Sequence, residues 1–557
     1  MSEEDAPSGA AAHARRRGRV AFAVAGLMAL FGLRLVHTAW SKSFTFDEPA
    51  YVGTGLYLWR TGDYDFARVL LFHPPLTFHL ASVPLLFLDT DDASAQPRVA
   101  RVLLDRGEPP PAVLRVAARM PFVLLSCWGA LLSFAWAREV AGAQAGLLAA
   151  FLFSFSPSLL AYGPLAHSDI TVAVLSLQAL YALWRWERRP GFGRLIACGI
   201  ALGLALAAKQ SALLLIGAFA LELGRQSLRP AGSFRARSLA SRVAWSSVVL
   251  GAWLALAIGV LWASYGGSFA LATDPNGRFP DVPLPGYLRA LLFVDFANAQ
   301  PRPYWFLGAV RTGHDPRFMP LAFLCKEPVG FLALVGAAIA SLRARRGRLG
   351  AFLAIPLALY VLTLTIWLEV PLGYRYALPL VPLLCVFVAT QLAPLPAGWP
   401  RKALLAACAA IALESLAAHP SYLAFFNVAV GGPSRGSELF LESNLDWGQD
   451  VTTLARELAR RGNPPVRLAL FAAEDPAAYG VREEKLRGCE PVTGWVAISA
   501  NVRKGLYAAQ SIFAKPTPGC YAWLDAYTPV ARPGGSISLY EIPERGAPAA
   551  QRPSLPR

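Results

Sequence analysis

Two adjacent carboxylates, Asp47 and Glu48, follow directly on the first long apolar run of the chain. A carboxylate at membrane depth is costly unless it faces protein or water, which marks it for chemistry. Further polar groups recur at the ends of later apolar runs: His167-Ser168-Asp169, Lys209, Lys326-Glu327 and Tyr374-Arg375-Tyr376. His73 precedes Pro74-Pro75 in the segment after Asp47. Carboxylates and fixed cations beside lipid suit a lipid-linked phosphate. Arginine and lysine hold its anionic oxygens while a carboxylate takes a proton from an incoming nucleophile. On that chemistry Asp47 is the general base, and Arg375 with Lys209 meets the charge developing on a leaving phosphate. Direct attack on a lipid-linked sugar inverts the anomeric carbon, as in inverting glycoside cleavage.

Each group also has a plainer role. Asp47 and Glu48 can cap a helix, since Glu48-Pro49 reads as a helix start and Gly62 as its stop. His73 can cap its own helix, and Asp169 can complement a helix dipole. Lys326-Glu327 can be an internal ion pair. Arg375 can snorkel, and Asp446-Trp447-Gly448-Gln449 can cap the helix that follows it. Their convergence at one depth favours a shared site.

The elements that must position them are membrane spans. Of 557 residues, 55% are hydrophobic and only 16% charged, well below the roughly one quarter charged of soluble domains. Spans are expected at about 20–38, 113–137, 142–162, 168–185, 195–208, 210–223, 243–265, 319–342, 349–368, 376–393 and 403–420. The two short arms at 195–223 form a hairpin with Lys209 at its apex. The net charge of +16 lies in alternate connections, the positive-inside pattern, so it sets topology and argues against nucleic acid. The first run lacks a cleavage site and reads as a retained anchor. Eleven spans place the N-terminus in the cytoplasm of a bacterium and the C-terminal region in the periplasm, within a multi-pass inner-membrane protein.

Residues 1–19 are expected to be disordered and 20–420 to form the membrane domain, with outer loops at 39–112 and 266–318. Residues 421–543 form a small α/β domain and 544–557 a disordered tail. Within the α/β domain, 446–461 has helical spacing, and 466–471, 495–499, 521–524 and 536–540 read as strands. Arg98, Arg101, Arg106 and Arg115 crowd the first loop. Five of the seven cysteines lie singly in or beside spans, while Cys489 and Cys520 are free to pair in an oxidising compartment. No cysteine or histidine cluster suggests zinc. The carboxylates can accommodate a divalent cation, but no ligand spacing demands one.

The order Phe46-Asp47-Glu48-x-x-Tyr51, His73-Pro74-Pro75-Leu76, His167-Ser168-Asp169, Gly203-Leu204-Ala205 to Lys209 and Arg375-Tyr376-x-Leu378-Pro379 resembles the polytopic GT-C glycosyltransferases. It is most similar to family 39, the branch of protein O-mannosyltransferases and lipid A aminoarabinose transferases. Ser443-Asn444-Leu445-Asp446-Trp447-Gly448-Gln449-Asp450 resembles a subset of phospholipid-carrier-dependent glycosyltransferases. The resemblance covers about 20–460. It implies a mainly α GT-C fold and a polyprenyl-phosphate sugar donor. Catalysis falls to Asp47 and Glu48 with Asp169 as second acidic position. The donor-phosphate and substrate-binding set is Tyr51, His73, His167, Lys209, Lys326, Tyr374 and Arg375. Leu76 is followed by Thr77-Phe78 where the mannosyltransferases continue with Gly-Lys, a departure that bears on the mannose donor and the protein acceptor. The acceptor is then a hydroxyl of a lipid, glycan or protein. The rival class, a transporter or flippase, should show internal repeats and charges near the midplane. Neither is visible in the sequence.

Overall fold

The computed structural model describes residues 9–64, 73–90, 109–229, 238–267, 271–272, 284–288, 290–292, 302–342, 348–368, 372–486, 488–507 and 516–543. Arg98, Arg101, Arg106, Glu369 and the expected tail at 544–557 lie outside the described residues.

The chain is mainly helical. Helix α1 (Gly9–Ser41) begins inside the stretch expected to be disordered, so that expectation is corrected from Gly9 onward. α2 (Glu48–Thr61) forms as the sequence predicts, with Asp47 at its N-cap, Pro49 in its first turn and Gly62 closing it at φ +63°. α3 (Leu76–Ser82) follows the His73 loop. Then come α4 (Pro111–Ala141), α5 (Ala143–Ser154), α6 (Pro157–Tyr162), α7 (Ser168–Arg188), α8 (Phe192–Ala208), α9 (Leu213–Leu228) and α10 (Leu239–Ser264). α11 (Phe318–Lys326), α12 (Val329–Ser341), α13 (Arg348–Leu362), α14 (Leu380–Leu392) and α15 (Trp399–Ala417) complete the bundle.

Every expected span contains helix, but several are short or interrupted. Five are long and apolar enough to cross a membrane, or six with the α11–α12 pair counted as one. The protein is therefore a polytopic membrane protein, with fewer full-length spans among the described residues than the eleven expected. The interruptions have local causes. Pro157 starts α6 after Ser156, whose hydroxyl accepts from Leu159 N–H at 3.3 Å, which divides the span expected at 142–162. Pro328 forces Glu327 into the extended region (φ −100°, ψ 145°), and α11 and α12 meet at 115°. The continuous span at 319–342 is corrected to this bent pair. Lys209 is likewise extended between α8 and α9. Close packing of α8 on α10 depends on small residues: a Cβ on Gly203 would stand 2.7 Å from Val260 Cβ.

The C-terminal part holds α16 (Val451–Arg460) and a four-stranded sheet. Two two-stranded pairings precede it: β1 (Leu271–Ala272) with β2 (Leu284–Pro285), and β3 (Tyr304–Phe306) with β4 (Ala309–Arg311). The sheet is ordered β6 (Glu483–Lys485), β5 (Val466–Ala469), β7 (Gly494–Ser499), β8 (Ile537–Ile542). β5 runs parallel to β6 and β7, and β8 antiparallel to β7 with Val496 opposite Tyr540. One expectation fails here and one element is added. Residues 522–526 form a 3₁₀ turn and not a strand, and the exposed β6 is an addition that its Glu-Glu-Lys, with no apolar face, does not announce. Cys489 and Cys520 are disulfide-bonded. The sheet region is fastened to the bundle by Arg115, buried in the first turns of α4, whose Nη1 meets Glu474 Oε2 at 3.1 Å.

Candidate active site

Five polar segments converge where the helices are interrupted. The Asp47 side chain, 35% exposed, stands at the start of α2. Arg375 Nη1 donates to Asp47 Oδ2 at 3.1 Å, and His167 Nε2 lies 3.5 Å from the same oxygen. His167 Nδ1 lies 2.8 Å from Asp169 Oδ2, so each ring nitrogen faces a carboxylate. Lys209 Nζ donates to Asp169 Oδ1, and Arg375 Nη1 is 4.0 Å from Asp169 Oδ2. Two carboxylates, two cations and one imidazole thus share a partly dry cluster in which Asp47 is the more accessible acid.

The chain reaches this arrangement through its breaks. α7 opens at Ser168, so Asp169 sits in a first turn, where backbone N–H groups lack helical partners. Arg375 lies in the 3₁₀ turn Tyr374–Ala377 that precedes α14. Lys209 lies at the extended residue between α8 and α9. Aromatic rings line the cluster. The Tyr51 ring is 4.7 Å from His167 and 4.6 Å from Phe78, and its hydroxyl is 3.0 Å from Ser168 Oγ. His73 is the next ring out, 6.4 Å from Tyr51, with Nδ1 2.7 Å from Gln210 Oε1. The Lys209 ammonium is 5.1 Å from the Tyr376 ring.

Electrostatics set the charge states of the groups outside the spans. Burial alone would raise the Asp47 pKa, but the His167 hydrogen bond and the Arg375 charge outweigh it and hold the carboxyl below its usual range. Burial, then the Lys209 charge, lowers His73 to about 3, so His73 is a neutral ring at physiological pH.

Three expected site residues belong to the framework instead. Glu48, expected to share catalysis, is fully buried and accepts from Arg119 Nε at 2.8 Å and Nη2 at 2.6 Å. It also accepts from Thr45 N–H at 2.7 Å and Ala166 N–H at 2.9 Å, which leaves it no free oxygen for substrate. Lys326 gives its three ammonium protons to the carbonyls of Leu423, Phe425 and Asn444 at 2.6–2.8 Å, so it has none for a phosphate. Tyr374 is fully buried and donates its hydroxyl to Glu327 Oε1 at 2.7 Å. Both correct the substrate-binding expectation for the same reason: a partner distant in sequence uses the polar group.

Arg119, Gln210 and Trp447 join the site or its immediate support without a sequence reading that places them there. Arg119 reads as a stray charge in a span, and nothing local points to its partner 71 residues away. Trp447 stands in a polar-aromatic cluster that reads as a helix cap. The following helix instead has Asp450 at its N-cap with no side-chain cap bond, and Trp447 covers Arg375 at 4.4 Å. Among the described residues no group of three His, Cys, Asp or Glu side chains converges to hold a metal ion.

Comparison with known proteins bears on the bundle. Residues 113–262 match the dolichyl-phosphate-mannose-protein mannosyltransferase family model. The matched stretch runs from α4 through α10, carries His167, Asp169 and Lys209, and agrees with the GT-C resemblance of the motif order. No curated relative matches the chain. Among solved structures, the chain is similar to ArnT from Cupriavidus metallidurans bound to undecaprenyl phosphate, at 14% identity and TM-score 0.46 over 93% of this chain and 97% of that one. It is also similar to the Archaeoglobus fulgidus oligosaccharyltransferase, at 14% identity and TM-score 0.41 over 71% of this chain and 55% of that one. A third likeness is to the S. cerevisiae protein O-mannosyltransferase Pmt1-Pmt2 complex bound to the sugar donor, at 18% identity and TM-score 0.33 over 52% of this chain and 39% of that one.

Proposed function

We propose that this protein is a membrane glycosyltransferase that moves a sugar from a polyprenyl-phosphate donor to an acceptor hydroxyl with inversion, Asp47 acting as general base. One observation carries the reading: an accessible carboxylate shares its Oδ2 with the buried Arg375 at 3.1 Å. In the free protein that contact makes Asp47 a weak base. A donor phosphate that engages Arg375 takes the guanidinium's charge for itself, and the basicity of Asp47 rises as the substrate arrives. Lys209, already beside Asp169, is the second cation for the phosphate, and His167 orients both acids. Asp169 is then a positioning carboxylate that holds Lys209 and His167. Tyr51 and His73 line the same side as apolar or neutral rings.

The site belongs to the non-cytoplasmic face of a bacterial inner membrane, with the N-terminus in the cytoplasm. Residues 20–420 form the catalytic membrane domain and 421–543 a domain outside it. The acceptor is a lipid, glycan or protein. A divalent cation is unnecessary to this scheme, since Arg375 and Lys209 supply the positive charge.

The bent α11–α12 pair also suits a transporter of a lipid-linked or small polar solute, since interrupted helices accompany such sites. Its Lys326 and Glu327 are engaged internally, which favours the transferase. The deciding test offers purified protein a panel of radiolabelled polyprenyl-phosphate sugars with envelope acceptors. Wild type transfers label, and Asp47→Asn folds and binds donor but loses on the order of 10²–10⁴ in rate. Binding without transfer in either form overturns the transferase reading for the transporter one. Equal transfer in both forms removes Asp47 as the base.

A further inference from the structure

The segment at residues 440–450 is bonded to both flanks of the site at once. Asn444 Oδ1 accepts the Tyr374 N–H at 2.8 Å, one residue from Arg375. Trp447 O accepts the Phe46 N–H at 2.9 Å, one residue from Asp47. Between these anchors Trp447, 1% exposed, makes two ring contacts with the charged cluster. The Arg375 guanidinium carbon lies 4.4 Å from its ring centroid, and the His167 ring meets it edge-on at 5.0 Å and 66°. One residue therefore touches the base's loop by its backbone and both partners of the base by its ring.

We infer that Trp447 is a positioning residue of the transfer site, its indole face holding Arg375 and the same ring packing at a steep angle on His167, so that both are kept against Asp47. This rests on the transferase reading. An indole suits that role, because a guanidinium stacks on an aromatic face while its N–H groups stay free in its own plane for carboxylate or phosphate. The segment that delivers the ring is itself fixed. Trp447 N–H donates to Gln449 Oε1 at 2.8 Å. Gly448 follows at φ +84°, and a Cβ there would stand 3.1 Å from Phe471 O and Ala472 Cα. Asp446 Oδ2 accepts Asn501 N–H at 3.0 Å from the sheet region, and Lys42 Nζ meets Asp450 Oδ1 at 2.6 Å. The C-terminal part thereby sets the geometry of a charged pair otherwise built by the bundle.

The test compares wild type, Trp447→Phe and Trp447→Leu as full-length protein, reading thermal midpoint, binding of sugar-free polyprenyl phosphate, and the pH profile of transfer. Phe keeps an aromatic face and stays within about threefold of wild type in both binding and kcat. Leu fills space without a face, and loses about tenfold in lipid-phosphate binding and at least that in kcat. Its acid limb moves to higher pH, because Asp47 released from Arg375 titrates closer to an ordinary carboxylate. Equal losses in Phe and Leu that track a lowered midpoint would make Trp447 a packing residue and overturn the inference, as would a Leu variant that binds and turns over like wild type. If wild type transfers nothing, the transferase reading fails and the binding series decides alone: weakened in Leu and kept in Phe sustains the contact's role, and no difference ends it.

Discussion

The acid pair Asp47-Glu48 divides into two jobs, and substitution separates them. Glu48 accepts from Arg119 twice, from the Thr45 N–H and hydroxyl, and from the Ala166 N–H. Arg119 also donates to the carbonyls of Ala39, Lys42 and Ser43 at 2.8–3.0 Å. One ion pair therefore ties the end of α1, the start of α2 and the turn before α7 to α4. Glu48→Ala leaves a buried guanidinium without a counter-charge, which costs about 3–5 kcal/mol. The Thr45 and Ala166 N–H groups lose their acceptor as well, at about 1–3 kcal/mol each. The expected outcome is a chain that fails to purify as a monodisperse species or melts on the order of 10 °C below wild type. Asp47→Asn, one residue away at a partly exposed position, melts within a few degrees of wild type and loses on the order of 10²–10⁴ in transfer rate. The assay is thermal unfolding in detergent beside donor transfer. A Glu48→Ala protein that melts like wild type yet is inactive would refute the division and return Glu48 to catalysis.

Arg375→Lys keeps the charge but loses the planar fork and the stack on Trp447, so polyprenyl-phosphate binding should weaken about tenfold or more; equal binding would show that charge alone suffices. His73 is held neutral, with its folded pKa lowered from 6.5 to about 3. The unfolded chain binds a proton in that window that the folded chain refuses. Stability from this residue is full above about pH 6.5 and falls as pH drops toward 3, and His73→Gln should flatten that part of a melting-against-pH curve. Gly534→Ala would drive a Cβ into the Asp450 carboxylate at a residue with φ +64°, so it should lower the thermal midpoint and disturb the Lys42–Asp450 pair.

Asp47 was legible because a carboxylate at the end of an apolar run has few inexpensive reasons to be there. His167, Asp169, Lys209 and Arg375 were legible for the same reason, and their common depth brought them together. Glu48, Lys326 and Tyr374 carried the same local signature, and their framework roles depend on partners 71, 97 and 47 residues away. Periodicity reports which face is apolar, not which distant carbonyl a lysine will reach. Span positions were readable from hydropathy, whereas the breaks at Ser156 and Glu327 came from prolines inside runs that still looked continuous. Trp447 was visible as an oddity, but its contact with Arg375 is tertiary and left no periodic trace.

Residue 375 reaches residue 47 across 328 positions, and the stretch that pins both arrives later still, near 447. During synthesis, then, no partly made chain owns a working centre: the acid emerges first, its guanidinium much later, and the clasp after both. On the transferase reading, activity requires nearly the whole polypeptide, and a chain ending before residue 447 is expected to be silent rather than unregulated.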